Sequence, residues 1–186
     1  MAFGTLLDTI PSARSYLTAP AAREQFWVKQ LSAYASPRIG LVWSGSPKHT
    51  NDHERSIPFA SFADVCADKN CRFFSLQKDA RADDILMLKS KPEIIDLGAS
   101  LSDYGETAAI VANLDLVITV DTSVAHLVGA LGKPVWILLP FLPDYRWLLS
   151  RADSPWYPSA KLFRQPANGD WRSVMKEVSD AINQAF

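Results

Sequence analysis

The stretch LVITVDTSVAHLVGALGKPVWILL, residues 116–139, decides the fold. It begins and ends with short apolar runs, 116–120 and 134–139, whose length and bounding polar residues are typical of buried strands. Between them, apolar residues recur at the spacing of one helix face: Val124, Leu127, Val128 and Leu131. A strand, a helix and a second strand in this order predict two parallel strands joined by a right-handed crossover.

The same alternation extends over most of the chain. Further apolar runs predict strands at 38–43, 71–76, 94–95 and 161–164. Helices are predicted at 21–34, 58–67, 80–89, 104–114 and after Asp170, and the polar segment 44–56 is predicted to be a loop. Six strands alternating with helices predict an α/β fold. We expect a Rossmann-like, doubly wound parallel sheet in a three-layer αβα arrangement, with strand order 3-2-1-4-5-6.

Composition restricts the class of protein. The 186 residues are 48% hydrophobic and 21% charged, with a formal net charge of −1. This excludes a disordered chain and argues against nucleic acid as a partner. No apolar run approaches the roughly 20 residues of a membrane helix, and the N terminus lacks the features of a signal peptide. We expect a cytoplasmic protein without a membrane span, in which Cys66 and Cys71 are reduced.

In doubly wound sheets, ligands bind beyond the carboxyl ends of the strands. Asp121-Thr-Ser-Val-Ala-His126 follows the fourth strand and opens a helix. The N–H groups at such a helix start suit a phosphate, and Thr122 and Ser123 add hydroxyl donors. An ordinary helix cap is the alternative interpretation. His126 lies off the apolar face of the helix, where a hydrogen-bonded structural histidine is the common case.

The loop after the first strand, residues 44–55, is long and polar. Lys48 and Arg55 offer positive charge to a diphosphate, although a solvated loop is the simpler interpretation. His49 and His53 are four residues apart, but the nearby Pro and Asn-Asp disfavour a metal-binding helix face. The GxGxxG, P-loop and GxSxG motifs are absent. No metal site is predicted.

The segment between the fifth and sixth strands, residues 140–158, is rich in aromatic residues. Leaving so many aromatic rings exposed is costly, and exposed patches usually mark an interface. We expect Trp147, Trp156 and their neighbours to pack on the domain or to face a second domain or a ligand.

Several segments together carry a resemblance to a known family: IGLVWSGSPKHTNDHERSIP (39–58), FFSLQ (73–77), DTSVAHLVGALGKP (121–134), PDYRWLL (143–149) and DSPWYPSAKLFRQP (153–166). They resemble the C-terminal, donor-binding domain of GT-B glycosyltransferases of the heptosyltransferase type, glycosyltransferase family 9. The form that bacteria attach after tetratricopeptide repeats is especially similar. Ser123 stands where heptosyltransferases usually carry Gly. Residues 38–186 would be this Rossmann-like domain, and residues 1–37 an entry segment with a linking helix.

The resemblance implies a bacterial glycosyltransferase that transfers a sugar, with inversion and without a metal, from a nucleotide-diphospho-sugar to an acceptor hydroxyl. The donor would be an ADP-, GDP- or UDP-sugar, and no cofactor is implied. The donor-binding residues would be Ser44, Gly45, Lys48, Gln77, Asp121, Thr122, Ser123, Val124 and His126. Lys48 would neutralise phosphate, and Gln77 and residues 96–104 would lie nearer the nucleoside.

The resemblance also implies that a second domain takes part in the reaction. In GT-B enzymes the acceptor site and catalytic base usually come from an N-terminal domain, so this chain would work with an N-terminal GT-B or tetratricopeptide-repeat domain, or with a partner chain. The sequence identifies no general base. A non-catalytic nucleotide-binding or protein-interaction module of the same fold is the main alternative. A different enzyme of this architecture, such as a nucleotide-sugar epimerase, is another.

Overall fold

The computed structural model describes residues 4–12, 14–67 and 70–186. Its strands form one parallel sheet in the order β3-β2-β1-β4-β5-β6. The strands are β1 (Arg38–Val42), β2 (Arg72–Ser75), β3 (Ile94–Asp96), β4 (Leu116–Val120), β5 (Val135–Leu139) and β6 (Ala160–Arg164). The predicted α/β class, parallel sheet and strand order are therefore confirmed.

Helices cover both faces of the sheet. They are α1 (Ala21–Leu31), α2 (Asp52–Arg55), α3 (Phe59–Cys66), α4 (Ala82–Lys89), α5 (Tyr104–Ala112), α6 (Ser123–Ala130) and α7 (Trp171–Ala185). Consecutive strand residues point to opposite faces, so Val117 packs with α1, α5 and α6, whereas Ile118 packs with α3, α4 and α7. Two apolar cores result, one on each side of the sheet.

The predicted loop at 44–56 contains a helix, α2, that the sequence pattern missed. Asp52 explains this difference. It is 4% exposed, accepts a hydrogen bond from the Ser56 hydroxyl and forms an ion pair with Arg81 at 2.9 Å. Arg81 is distant in sequence, so the contact that stabilises this turn is tertiary and leaves no local periodicity.

Two further expectations concern the chain as a whole. No helix in the described ranges has the length and hydropathy needed to span a bilayer. Cys66 and Cys71 form no disulfide in the structure.

The segment between β5 and β6 divides its aromatic and apolar side chains between the core and solvent. Trp147 is fully buried, whereas Trp156 is 39% exposed. Four further large side chains point outward: Phe141, Leu142, Tyr145 and Leu149. The sequence predicted either that these side chains pack on the domain or that they face a second domain or a ligand. In the structure some of them are buried in the core and others are exposed.

Arg164, at the end of β6, holds this segment in place. Its guanidinium donates hydrogen bonds to the carbonyl oxygens of Trp147, Leu148 and Arg151. Leu148 has φ 55° and ψ −171°, a conformation that only glycine adopts without strain. The three charge-assisted hydrogen bonds lie on and beside this strained residue, so they offset its cost.

We expect Arg164→Lys to lower the free energy of unfolding by about 2 kcal/mol, because an ammonium group cannot reach all three carbonyls and hydrogen bonds to charged groups contribute about 1.5–3 kcal/mol each. Urea unfolding monitored by tryptophan fluorescence measures this change. Arg172→Lys is the matched control, since Arg172 is exposed on α7. Equal stability changes in the two variants would show that Arg164 does not hold the segment.

Candidate functional site

A cavity of about 430 Å³ opens at the carboxyl edge of the sheet, beyond β1, β2 and β4. The chain leaves β1 and β4, which are neighbours, towards opposite faces of the sheet, and this is where α/β sheets usually bind ligands. The lining consists of Val42, Ser44, Gly45, Ser46, Arg55, Leu76, Gln77, Lys78, Asp79, Leu101, Asp103, Tyr104, Thr107, Thr122, Ser123 and Val124.

Gln77 fixes the first wall of the cavity. Its amide oxygen accepts hydrogen bonds from the N–H groups of Trp43 and Ser44 at 3.1 and 3.0 Å, and its amide nitrogen donates to the Ser44 carbonyl at 3.0 Å. The side chain thus joins the end of β1 to the end of β2. Ser44 Oγ is buried and has no hydrogen-bond partner among the described residues.

The cavity lining contains two cationic side chains, Arg55 and Lys78. Lys78 donates a hydrogen bond to the Ser102 carbonyl at 3.3 Å, whereas Arg55 is the cation that contacts the start of α6. Its side chain is 18% exposed, and its Nη1 donates to the carbonyl of Asp121 at 2.9 Å. Nε lies 3.6 Å from Asp52 Oδ1 without forming a hydrogen bond. A Cβ on Gly45 would lie 2.6 Å from Arg55 Nη2, so only glycine lets the guanidinium approach this closely. The contact with Asp121 brings the charge to the start of α6.

The start of α6 forms the opposite wall. Thr122 caps the helix, and its hydroxyl oxygen accepts a hydrogen bond from the Val124 N–H at 3.3 Å. The first turn of a helix carries partial positive charge, and Arg55 adds a full charge beside it. Ser123 is exposed, and its hydroxyl lies 2.8 Å from the Tyr104 hydroxyl. The two walls together can hold an anion.

Six predicted site residues line this cavity: Ser44, Gly45, Gln77, Thr122, Ser123 and Val124. Lys48, the predicted phosphate ligand, is exposed in its loop and is not part of the lining. Asp121 is 8% exposed and takes part through its carbonyl, which holds Arg55.

His126 lies away from the lining, in an aromatic cluster. Its ring stacks on Trp147 with centroids 5.2 Å apart, and Nδ1 lies 3.0 Å from the Tyr157 hydroxyl. Burial lowers the pKa of His126 below its usual 6.5, because the charged imidazolium loses hydration there. This geometry is typical of a hydrogen-bonded structural histidine, and the donor-binding role that the resemblance implied for His126 stays a prediction.

Ten of the sixteen lining residues were absent from the predicted donor-binding set, and Arg55 and Tyr104 are the two that bear most on the chemistry of the site. Arg55 had been weighed with Lys48 as a source of positive charge. Tyr104 had been assigned to a helix pattern and to the segment 96–104, which the resemblance placed nearer the nucleoside, and it opens α5 at this edge of the sheet. Among the described residues, no three His, Cys, Asp or Glu side chains gather as metal ligands would.

Comparison of the sequence with known proteins gives a partial match. No protein-family model matches the chain. The protein FlbA of Caulobacter vibrioides is 29% identical over 183 residues, which are 94% of this chain and 30% of FlbA. The chain therefore spans less than a third of this curated relative.

Several solved structures have a fold similar to that of this chain. ADP-heptose lipopolysaccharide heptosyltransferase II of Escherichia coli matches with a TM-score of 0.60 and 18% identity, over 91% of this chain and 54% of that one. E. coli heptosyltransferase WaaC, solved with ADP-2-deoxy-2-fluoro heptose, matches at 0.60 and 16%, over 96% and 52%. A family 9 glycosyl transferase from Veillonella parvula matches at 0.56 and 15%, over 92% and 52%.

At these identities the likeness establishes the fold. The chain has the Rossmann-like fold of a heptosyltransferase-type domain, as the resemblance in sequence implied. It spans about half the length of each solved neighbour.

The position of His126 generates a prediction about pH. Because burial lowers its folded-state pKa, the unfolded chain binds a proton at higher pH than the folded chain does. The free energy of unfolding should therefore fall as pH drops below about 6.5. His126→Gln keeps a polar side chain but cannot be protonated, so we expect a smaller fall between pH 7.5 and pH 5.5.

Urea unfolding at the two pH values measures this difference. His53→Gln is the control, because the His53 side chain is 76% exposed, and it should behave like the parent. An unchanged fall in the His126→Gln variant would contradict the assignment.

Proposed function

We propose that this domain binds a nucleotide-diphospho-sugar in the carboxyl-edge cavity and is the donor half of a glycosyltransferase. One observation carries the proposal: the Arg55 guanidinium, which lines the cavity, donates a hydrogen bond to the Asp121 carbonyl directly before the start of α6. The fold neighbours support the class of reaction, since they are named as sugar transferases.

The charges of this wall suit a diphosphate. The carboxylate nearest to Arg55 is Asp52, which is already shared between Arg55 and Arg81. A helix start contributes about 0.3–1 kcal/mol to holding an anion at an exposed site, and about 2 when partly buried. A guanidinium adds charge-assisted hydrogen bonds with the planar geometry that phosphate oxygens prefer. Neither contribution requires the chain to carry a net positive charge.

The same groups serve the chemistry that we propose. An acceptor hydroxyl oxygen forms a bond to the anomeric carbon, the bond from that carbon to the diphosphate breaks, and the diphosphate leaves with the electron pair. A base takes the hydroxyl proton. Negative charge grows on the leaving diphosphate, where Arg55 and the start of α6 stabilise it. The chain has no DxD motif, and we propose a reaction that inverts the anomeric centre without a metal.

We assign the acceptor and the base to a second domain or partner chain, as in the two-domain GT-B arrangement that the sequence resembles. The half of each solved neighbour that lies outside the match leaves room for such a domain. On this proposal the protein is a bacterial, cytoplasmic enzyme.

Arg55→Ala should weaken binding of ADP, GDP or UDP by about one to two orders of magnitude, because a hydrogen bond to a charged group contributes about 1.5–3 kcal/mol and ~1.4 kcal/mol is tenfold. Lys48→Ala should change the dissociation constant less than about fivefold, since exposed charges contribute about 0–1 kcal/mol. Isothermal titration with each nucleotide measures both constants.

Arg55→Lys and the melting temperature of each variant control for folding. Arg55→Lys should bind more tightly than Arg55→Ala but less tightly than the parent. If Lys48→Ala were the damaging change, the sequence-based choice of phosphate ligand would be right and the assignment to Arg55 wrong. If the parent bound none of the three nucleotides, the proposed function would fail.

The described chain on its own should bind a donor but transfer its sugar very slowly. General-base assistance contributes about 10²–10⁴-fold, and we assign that base to the second domain. Release of nucleoside diphosphate, followed with a coupled assay over a panel of sugar nucleotides and simple acceptors, tests this expectation. Rapid transfer by the isolated chain, abolished in Arg55→Ala, would place the base within this domain.

A further inference from the structure

Of the described residues that line the cavity, one is aromatic: Tyr104. It is the first residue of α5, and it is 61% exposed although its side chain is large and partly apolar. Its hydroxyl lies 2.8 Å from Ser123 Oγ at the start of α6. This bond ties the outer end of the phenol to the opposite wall, so the ring is held beside the cavity instead of turning freely into solvent.

Apolar side chains continue the surface that Tyr104 begins. Val42, Leu76 and Leu101 all line the same cavity and are 3%, 1% and 4% exposed. The cavity therefore combines an apolar floor and one available aromatic face with a cationic wall formed by Arg55 and α6. A ligand that fits both parts has a flat apolar ring system joined to an anionic group.

We infer that Tyr104 stacks on the base of the bound nucleotide and that Ser123 positions its ring through the hydroxyl hydrogen bond. This inference rests on the proposed function, which supplies the nucleoside diphosphate. Stacking does not read the identity of a base, because every base has a π-face. Tyr104 should then contribute to the affinity for purine and pyrimidine nucleotides alike.

Titrations with three kinds of probe test this inference: ADP and UDP, which carry a base; inorganic pyrophosphate, which carries none; and ADP-glucose, which adds a sugar. Tyr104→Ala should weaken binding of ADP and UDP by about 5-fold to 150-fold, because stacking of a base on an aromatic residue contributes about 1–3 kcal/mol. Pyrophosphate should bind as it does to the parent. Tyr104→Phe keeps the ring and should weaken ADP only a few fold.

Tyr145→Ala is the matched control, because Tyr145 is 76% exposed and lies outside the cavity lining. It should leave every probe unaffected. Tyr104 is exposed, so its replacement should also leave the melting temperature close to that of the parent, and this is measured for each variant.

Three results would overturn the assignment of Tyr104 while leaving the proposed function intact. Equal weakening of ADP and pyrophosphate would mean that the hydroxyl acts on the phosphates. Weakening of ADP-glucose alone would mean that the ring contacts the sugar. Unchanged binding of every probe would mean that the ring contacts nothing. A parent protein that binds no nucleotide at all would overturn the proposed function and this inference together.

Discussion

The parallel pairing of β1 with β4 is the constraint on which the rest of the structure depends. Gly40 and Val117 are register partners in this pair, and the chain leaves the two strands in opposite directions, to β2 on one side and to β5 on the other. A crevice must open where the two connections diverge. The 44–58 loop and the start of α6 meet at this crevice, and the contact between Arg55 and Asp121 crosses it.

Most of the sheet could be predicted because its strands are buried on both faces and therefore consist of continuous apolar runs. The run 116–120 coincides with β4, and the helix spacing that begins at Val124 marks α6 to within a residue. The ends of elements were less accurate. Helix α1 stops at Leu31, before Tyr34, and α2 was missed because the ion pair between Asp52 and Arg81 joins residues far apart in sequence.

The site was harder to predict than the fold, because one loop offers two cations and local sequence does not rank them. Lys48 lies in the middle of the loop, whereas Arg55 comes two residues before Ile57, which is fully buried. The structure places Arg55 and not Lys48 in the cavity lining, because the chain re-enters the core at Ile57, and this burial is not visible in the local sequence. The resemblance placed residues 96–104 near the nucleoside, but no local pattern distinguishes Tyr104 among them, since its contact with Ser123 depends on how α5 lies against α6.

Tertiary contacts also attach helix α1 to helix α5. Trp27 is 6% exposed and packs in the same core as α5. Its indole N–H donates to Glu106, and Arg23 forms an ion pair with Asp103, the residue that caps α5. The helix that precedes β1 is therefore attached to the helix whose first residue, Tyr104, lines the cavity. Movement of α1 relative to the sheet would carry the rim of the cavity with it.

The burial of Arg55 has a consequence for ionic strength. Dissolved salt screens charges that face water far more than charges enclosed by protein. Arg55 is enclosed by the Gly45 backbone, Asp52 and the Asp121 carbonyl, whereas Lys48 is surrounded by solvent. An anion held by Arg55 should lose less affinity as salt is added than one held by Lys48 would. On the proposed function, binding of the donor should therefore depend only weakly on ionic strength.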